Sequence, residues 1–407
     1  MNARLTRRVA QCAVTAGVLA AMAGLGTAPA AAADWELNPR LEAGYLYDDN
    51  YRLNSPGNEI DVSGPMVDAE MEWRALTQTT EFTFAPRVRA TYFPDAQDLD
   101  SVDYFASLGL RHTGQRVVAA LNGEFSLLDI VRSEQPDVDT GGDLGEPDLG
   151  DSGHVVADNR RRLASLRPSI AFELSQRRQL QFSGGFTDVK FDTQFFGAQV
   201  DYQVADVALG LVNRLNERSN LTVRLRGSQY DLASRLDTND AYGAELQWDR
   251  TTAADTRSYF RVGAQQVELL DGDLETNWIA GAGVNFLIGR NELFLDGTHS
   301  VGASSAGALV TRDQLRMRWT RAFTPRLNLL VGLRATRDED VENTLFTVFT
   351  GRKYATGDLG LEWRWQEEYS LRAAYDYTWQ EYDDSTTAAK SSGVMVSVTY
   401  QPLQRRR

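Results

Sequence analysis

Between residues 38 and 401 the chain repeats one pattern: segments of roughly 10–16 residues in which apolar and polar side chains alternate. Phe82, Phe84, Val88, Ala90 and Tyr92 alternate with Glu81, Thr83, Arg87, Arg89 and Thr91. Leu327, Leu329, Val331, Leu333 and Ala335 share one parity against Asn328, Gly332, Arg334 and Thr336. Successive side chains of a strand point to opposite faces, so each segment has one apolar and one polar face. No part of this stretch approaches the roughly 18 consecutive apolar residues of a transmembrane helix. A chain of this kind enters a membrane only as a closed β-barrel, which leaves no strand edge unpaired in lipid.

The segments are read as strands over 38–53, 63–77, 79–93, 100–112, 114–132, 160–174, 178–192, 197–214, 218–232, 238–250, 255–270, 275–287, 290–303, 308–320, 325–337, 350–365, 368–382 and 391–401. The expected fold is therefore all-β: a single transmembrane antiparallel barrel of about 18 strands (16–18), with periplasmic N- and C-termini. The register near 192–200 is ambiguous. Every second connector is short, as at Thr77-Gln78-Thr79, Ser175-Gln176-Arg177 and Gly289-Arg290-Asn291, and those between are longer or rich in Asp and Gly. Short periplasmic turns alternating with longer extracellular loops produce that rhythm. Tryptophans fall at strand ends: Trp73, Trp248, Trp319, Trp363 and Trp365 near short turns, Trp278 and Trp379 near long loops. Two interfacial aromatic girdles place them so, whereas strand preference alone does not select strand ends.

The first residues read as a leader. Arg4, Arg7 and Arg8 precede an apolar, Ala-rich run and the small residues Ala31-Ala32-Ala33. The expected division is a cleaved signal peptide over 1–33 and a barrel over 34–407. The single cysteine, Cys12, falls in the leader, so the mature chain has no thiolate chemistry or disulfide. The chain carries 42 basic and 56 acidic residues, net −14; removing the three leader arginines leaves about −17. That balance argues against nucleic acid as a partner.

With the apolar parity toward lipid, the other parity lines the interior. Glu70, Glu72, Arg74, Arg87, Arg89, Arg111, Arg224, Arg226, Arg261, Arg316, Arg318, Arg334, Arg364 and Arg372 are the candidate lining of a solute path, with Glu245, Asp358, Glu362 and Asp376 on the same parity. Interior charges need water or partners, so the lumen is expected to be hydrated or plugged. Mutual compensation that merely holds the wall and a role in conduction both fit them. Segment 133–159 is read as a long acidic extracellular loop, and Asp95, Asp98, Asp100, Asp103, Asp338, Glu339, Asp340 and Glu342 as acidic loop residues. Asp137, Asp139 and Asp143 partly resemble a calcium loop, but Gly141 stands where a ligand belongs and no helices flank it. No metal site and no cofactor is expected. Three scattered histidines, His112, His154 and His299, supply no ligand cluster, and His299 and Ser300 point to opposite faces of one strand. No enzyme is expected.

Pro39 through Tyr47, followed by Asp48-Asp49-Asn50, resembles the opening of the EpsL-like β-barrel porins of bacterial exopolysaccharide and capsule export systems. Members commonly run a first strand into an aromatic-Asp-Asp-Asn turn and continue as large barrels. One departure is the C-terminus: Tyr400 is followed by Gln401-Pro402-Leu403 and a basic tail, where many outer-membrane barrels end on an aromatic residue. The resemblance implies an outer-membrane conduit for a secreted polysaccharide and supplies no catalytic residues. The expected surroundings are outer-membrane lipid and lipopolysaccharide, with a polysaccharide or small solute as cargo and a periplasmic export component as partner. A general or solute-selective diffusion porin, and a structural or adhesive barrel with an occluded lumen, are the alternatives.

Overall fold

The computed structural model describes residues 33–135, 155, 159–194, 199–233, 238–253, 256–269, 272–341 and 351–402. Residues 1–32 of the segment read as a signal peptide, residues 136–154 and 156–158 of the acidic segment read as a loop, and Glu342 lie outside them. Eighteen strands follow one another: β1 (Asp34–Asp48), β2 (Val62–Leu76), β3 (Thr80–Thr91), β4 (Ser101–Thr113), β5 (Val117–Asp129), β6 (Arg160–Ser175), β7 (Arg178–Phe191), β8 (Tyr202–Asn216), β9 (Ser219–Leu232), β10 (Asn239–Ala253), β11 (Thr256–Glu268), β12 (Leu274–Ile288), β13 (Asn291–Ala303), β14 (Leu309–Thr324), β15 (Leu327–Asp340), β16 (Arg352–Arg364), β17 (Tyr369–Tyr382) and β18 (Ala389–Tyr400). One short helix, α1 (Ile130–Glu134), follows β5.

Each strand pairs antiparallel with the next, and β1 pairs with β18 from Leu41↔Tyr400 to Asp48↔Gly393, so the sheet closes. Asp34 and Tyr400 both lie at the end of the barrel that carries the short turns. Strand partners climb the wall: the ladder from Asp34 passes Leu76, Glu81, Arg111, Ala120, Ser169, Ser183, Ala208, Arg226 and Gly243 to Gln265, near the far end of β11. A full circuit staggers by about 22 residues, which for eighteen strands means a tilt of about 40° and a backbone radius of about 18 Å. On β6, β8, β10 and β14 a register shift falls in the last residues before a short turn, at Glu173/Ser175, Arg214/Asn216, Thr251/Ala253 and Ala322/Thr324.

The apolar parity faces outward. Leu41, Tyr45, Val67, Val88, Leu209, Leu225, Leu246, Val262, Leu361 and Val396 are all exposed, a pattern that only lipid renders favourable at this density. Trp35, Trp73, Trp248 and Trp363 lie exposed toward the short-turn end and Trp278 toward the other. Trp365 instead sits just past β16, its ring stacked on Tyr369 at 5.8 Å. The barrel is an outer-membrane protein.

The Tyr47-Asp48-Asp49-Asn50 turn seals the seam. Asp48 Oδ1 accepts from the Asn50 N–H and the Ser391 hydroxyl, both at 2.7 Å, and Asp49 Oδ1 accepts from the Ser392 N–H at 2.7 Å. Asn50 Nδ2 donates to the carbonyls of Asn54 and Lys390, each at 2.9 Å. β1 therefore ends at Asp48 rather than 53, because these short polar side chains satisfy the backbone in a turn instead of a ladder.

The core sits at the extracellular end, inside the wall. Tyr51, Val62, Phe93, Ile130, Val189, Phe191, Tyr202, Tyr230, Leu232, Val267, Leu309 and Val341 belong to one buried apolar cluster fed from both sides of the ring. Inward-folded connectors supply it. Asp129 ends β5 by capping α1, its carboxylate accepting from the Val131 N–H at 2.9 Å, so the strand expected over 114–132 stops three residues early. The β13–β14 connector is fully buried at Ser304 and Ser305, and the Ser305 carbonyl accepts from Val200 N–H, on the β7–β8 connector, at 2.8 Å. Arg352 of β16 reaches the Glu134 carbonyl of α1 at 3.4 Å. Burial pushes the pKa of the Tyr51 hydroxyl up.

Several acidic residues read as loop are structural. Asp100 accepts from Phe93 N–H at 2.7 Å, and Asp103 accepts from Asp129 N–H at 2.8 Å and lies 3.1 Å from Arg132 Nε. Asp338, Glu339 and Asp340 belong to β15; Asp338 is held bidentately by Arg312 inside the barrel.

Candidate functional site

The inward parity carries charge on nearly every strand, and the tilt brings those charges to one height. From the register, Glu42 (β1), Asp68 and Glu70 (β2), Arg87 and Arg89 (β3), Glu124 (β5), Arg167 (β6), Asp206 (β8), Arg224 and Arg226 (β9), Glu245 (β10), Arg261 (β11), Asp296 (β13), Arg316 and Arg318 (β14), Arg334 (β15), Asp358 (β16) and Arg372 (β17) form a belt at mid-barrel. Glu72, Arg74, Arg111 and Arg364 share the inward parity nearer the periplasmic mouth. There Arg74 pairs with Glu81 at 2.6 Å, both partners well exposed.

Within the belt the charges are arranged against one another. Arg87 and Arg89 converge on Asp68 at 2.6 and 2.7 Å, and Asp68 is only 3 % exposed. Arg40 holds Glu42 at 2.6 Å and stands 3.9 Å from Glu70. Arg224 pairs with Glu245 across β9 and β10. Asp296 accepts from Arg316 Nη2 at 2.9 Å and from the Tyr259 hydroxyl at 2.7 Å. Arg316 and Arg318 lie with their guanidinium carbons 5.6 and 5.5 Å from the Phe294 ring centroid. These groups are desolvated on the β11–β15 wall, where Arg261, Asp296, Arg316 and Arg334 are all buried. A buried ion pair of this kind leaves a strong uncompensated charge when one partner is removed.

On the opposite wall the belt opens into a cavity of about 470 Å³, of the size small-solute sites occupy. Glu70, Arg87, Phe105, Asn122, Glu124 and Arg167 border it, with the Arg87 guanidinium 5.1 Å over the Phe105 ring. Glu124 is exposed to this space. Both charge signs thus border one volume.

Inward glycines make room for the belt. A methyl group on Gly185 would collide with the Asp206 carboxylate, and one on Gly393 with that of Asp376. At Gly281 it would meet the Tyr259 hydroxyl at 3.0 Å and Arg261 Nη2 at 3.4 Å. The charged side chains lie flat along the wall in these hollows.

Composition and parity singled out most arginines of the belt but passed over Glu42, Asp68, Glu124, Arg167, Asp206 and Asp296. All six lie inside the strands read from the sequence and on the inward parity, so completing the alternation along each strand finds them. Outside the lumen, His299 stacks on Trp278 at 3.5 Å and lies 2.6 Å from Asp313, on the lipid side. His112 contacts Thr80 Oγ1 at 2.9 Å. Among the described residues no three His, Cys or acidic groups converge in a metal-holding geometry.

No family model matches the chain, and no curated protein matches it. Among solved structures, OccK2 (OpdF) of Pseudomonas aeruginosa, in complex with glucuronate, matches with 12% identity over 91% of this chain and 99% of that one, at a TM-score of 0.46. The outer membrane channel DcaP of Acinetobacter baumannii matches with 12% identity over 93% and 99%, at 0.46. The siderophore receptor PirA of Acinetobacter baumannii matches with 7% identity over 90% and 80%, also at 0.46. The expectation of a polysaccharide-export conduit is corrected here: the structures found are outer-membrane channels and siderophore receptors, not polymer exporters. Inward-folded connectors also bridge the extracellular end of the lumen where a polymer would need a clear bore. Of the EpsL-type resemblance, the outer-membrane β-barrel stands and the export role does not. The chain is an eighteen-stranded antiparallel barrel of the bacterial outer membrane.

Proposed function

We propose that this barrel is a diffusion channel for small polar solutes, with the mid-barrel belt as its selective element and the extracellular apolar cluster as its restriction. The observation that carries the reading is the belt itself. Charges from fourteen strands, dispersed along the sequence, meet at one height, and both signs border a cavity of about 470 Å³. Glu70, Glu72, Arg74, Arg87, Arg89, Arg111, Arg224, Arg226, Arg261, Arg316, Arg318, Arg334, Arg364 and Arg372 would line the path. Charges that only held the wall would be buried pairs throughout; Glu124 and Arg87 instead face open volume.

Liposome-swelling rates for small neutral sugars, monocarboxylates, amino acids and organic cations test the reading. Permeation that falls steeply with solute size and depends on solute charge is the expected result; swelling indistinguishable from protein-free liposomes would contradict it. The burial of the connectors favours one other reading, a structural barrel with a closed lumen. That reading requires no permeation even after the apolar cluster is loosened.

A further inference from the structure

On the lipid-facing side, the extracellular ends of the strands carry few cations, and most are neutralised. Arg337 pairs with Glu339, and Lys353 lies 3.5 Å from Asp383; Lys390 of β18 has no ion-pair partner among the described residues. The start of β6 differs. Arg160 and Arg162 occupy successive outward positions, and Lys190 of β7 is the register partner of Arg162. Arg160 is pinned in place: its Nη2 donates to the Val102 carbonyl at 2.6 Å and the Leu127 carbonyl at 3.2 Å, and its guanidinium carbon lies 5.8 Å from the Tyr104 ring centroid. Neither arginine has a carboxylate partner among the described residues. The nearby acids are Asp129 of β5, the register partner of Arg160, whose carboxylate accepts from the Val131 N–H at 2.9 Å, and two toward β7: Asp188, 3.5 Å from Lys190 and accepting from Gln203, and Asp192, whose N–H donates to the Arg160 carbonyl. On the β4–β5 side the surface below the arginines is apolar, with Val102, Tyr104 and Phe125 exposed.

Two guanidiniums above an exposed apolar and aromatic surface, at the outer-leaflet end of a net-negative barrel, match an amphiphile with a phosphorylated head and acyl tails. Guanidinium forks suit phosphate oxygens, and holding Arg160 in advance lowers the ordering cost of binding. We propose that Arg160 and Arg162, with Lys190 beside them, bind a phosphate of lipid A in the outer leaflet, its acyl chains lying over Val102, Tyr104 and Phe125. The site is independent of what passes through the lumen.

The test is native mass spectrometry of the full-length barrel titrated with bisphosphorylated lipid A in detergent containing EDTA. The wild type should retain one lipid A. The Arg160→Ala/Arg162→Ala double variant should bind about tenfold more weakly or worse, while Arg250→Ala/Arg321→Ala, which removes outward arginines at the periplasmic ends of β10 and β14, should bind as the wild type does. Heat-modifiable gel migration checks that each variant is a folded barrel, and Arg160→Lys/Arg162→Lys should recover part of the binding. Lipid A stripped of phosphate should bind no better to the wild type than to the double variant. Equal retention by the double variant overturns the proposal. So does loss of wild-type binding in EDTA, which would mean divalent bridging to the carboxylates. Displacement by millimolar inorganic phosphate would overturn it in favour of a simple anion site.

Discussion

At the scale of single residues, the inner wall holds charges that are buried and charges that face the cavity, and substitutions at the two kinds should separate stability from selectivity. Asp338 is almost fully buried and clasped by Arg312 with an Nη2–Oδ2 distance of 2.8 Å. Asp338→Asn should cost about 3–5 kcal/mol, because it strands a buried guanidinium. A lowered unfolding midpoint in urea checks this, and an unchanged midpoint would contradict the buried pair. Glu124 contrasts with it. Being exposed to the cavity, Glu124→Gln should leave stability within about 0.5 kcal/mol and shift the reversal potential in a salt gradient toward anions. The hollows are equally specific. Gly185→Ala should displace the Asp206 carboxylate from the wall and lower conductance, whereas Gly302→Ala, with open space at its Cβ position, should change nothing measurable.

At the scale of elements, the strands were legible because the two-residue period is enforced by lipid on one side and water on the other. All eighteen were read within a few residues of where they lie, the larger boundary shifts being at β1, β5, β8 and β14. The ends of β1 and β5 and the start of β8 share a cause: each marks chain leaving the ladder for side-chain caps or the apolar cluster. Asp129 ends β5 in favour of α1, and the chain before Tyr202 is drawn toward the β13–β14 connector at Ser305. The cluster had a sequence signal that alternation alone conceals. Along the inward parity, Thr187 gives way to Val189 and Phe191, Ser228 to Tyr230 and Leu232, and Gln265 to Val267. The height at which charges meet was not legible, since it depends on a stagger summed over eighteen pairings. The Tyr47-to-Asn50 turn, read as a family-like signature, also has a physical role in clamping β1 to β18. Asn50→Ala removes a hydrogen bond to the Lys390 carbonyl at the closing seam and one to the Asn54 carbonyl within the β1–β2 connector, and should lower the temperature of gel-mobility conversion by several degrees.

At the scale of the whole molecule, the lumen runs from the periplasmic mouth through the charged belt to the apolar cluster at the extracellular end. That order predicts that loosening the restriction and altering the belt have separable effects. Phe191→Asp loosens the apolar cluster by placing a carboxylate in it and should raise conductance, with a cation bias to which the belt carboxylates add. The most direct test of the central claim is the single-channel reversal potential of the full-length protein in a planar bilayer under a salt gradient, comparing Phe191→Asp with Phe191→Asp/Glu70→Gln/Glu124→Gln. Steady conductance in both, with a shift toward anion preference on removing the two belt carboxylates, is the expected result. Silence in both, or equal reversal potentials, would contradict the claim that solutes cross at the belt.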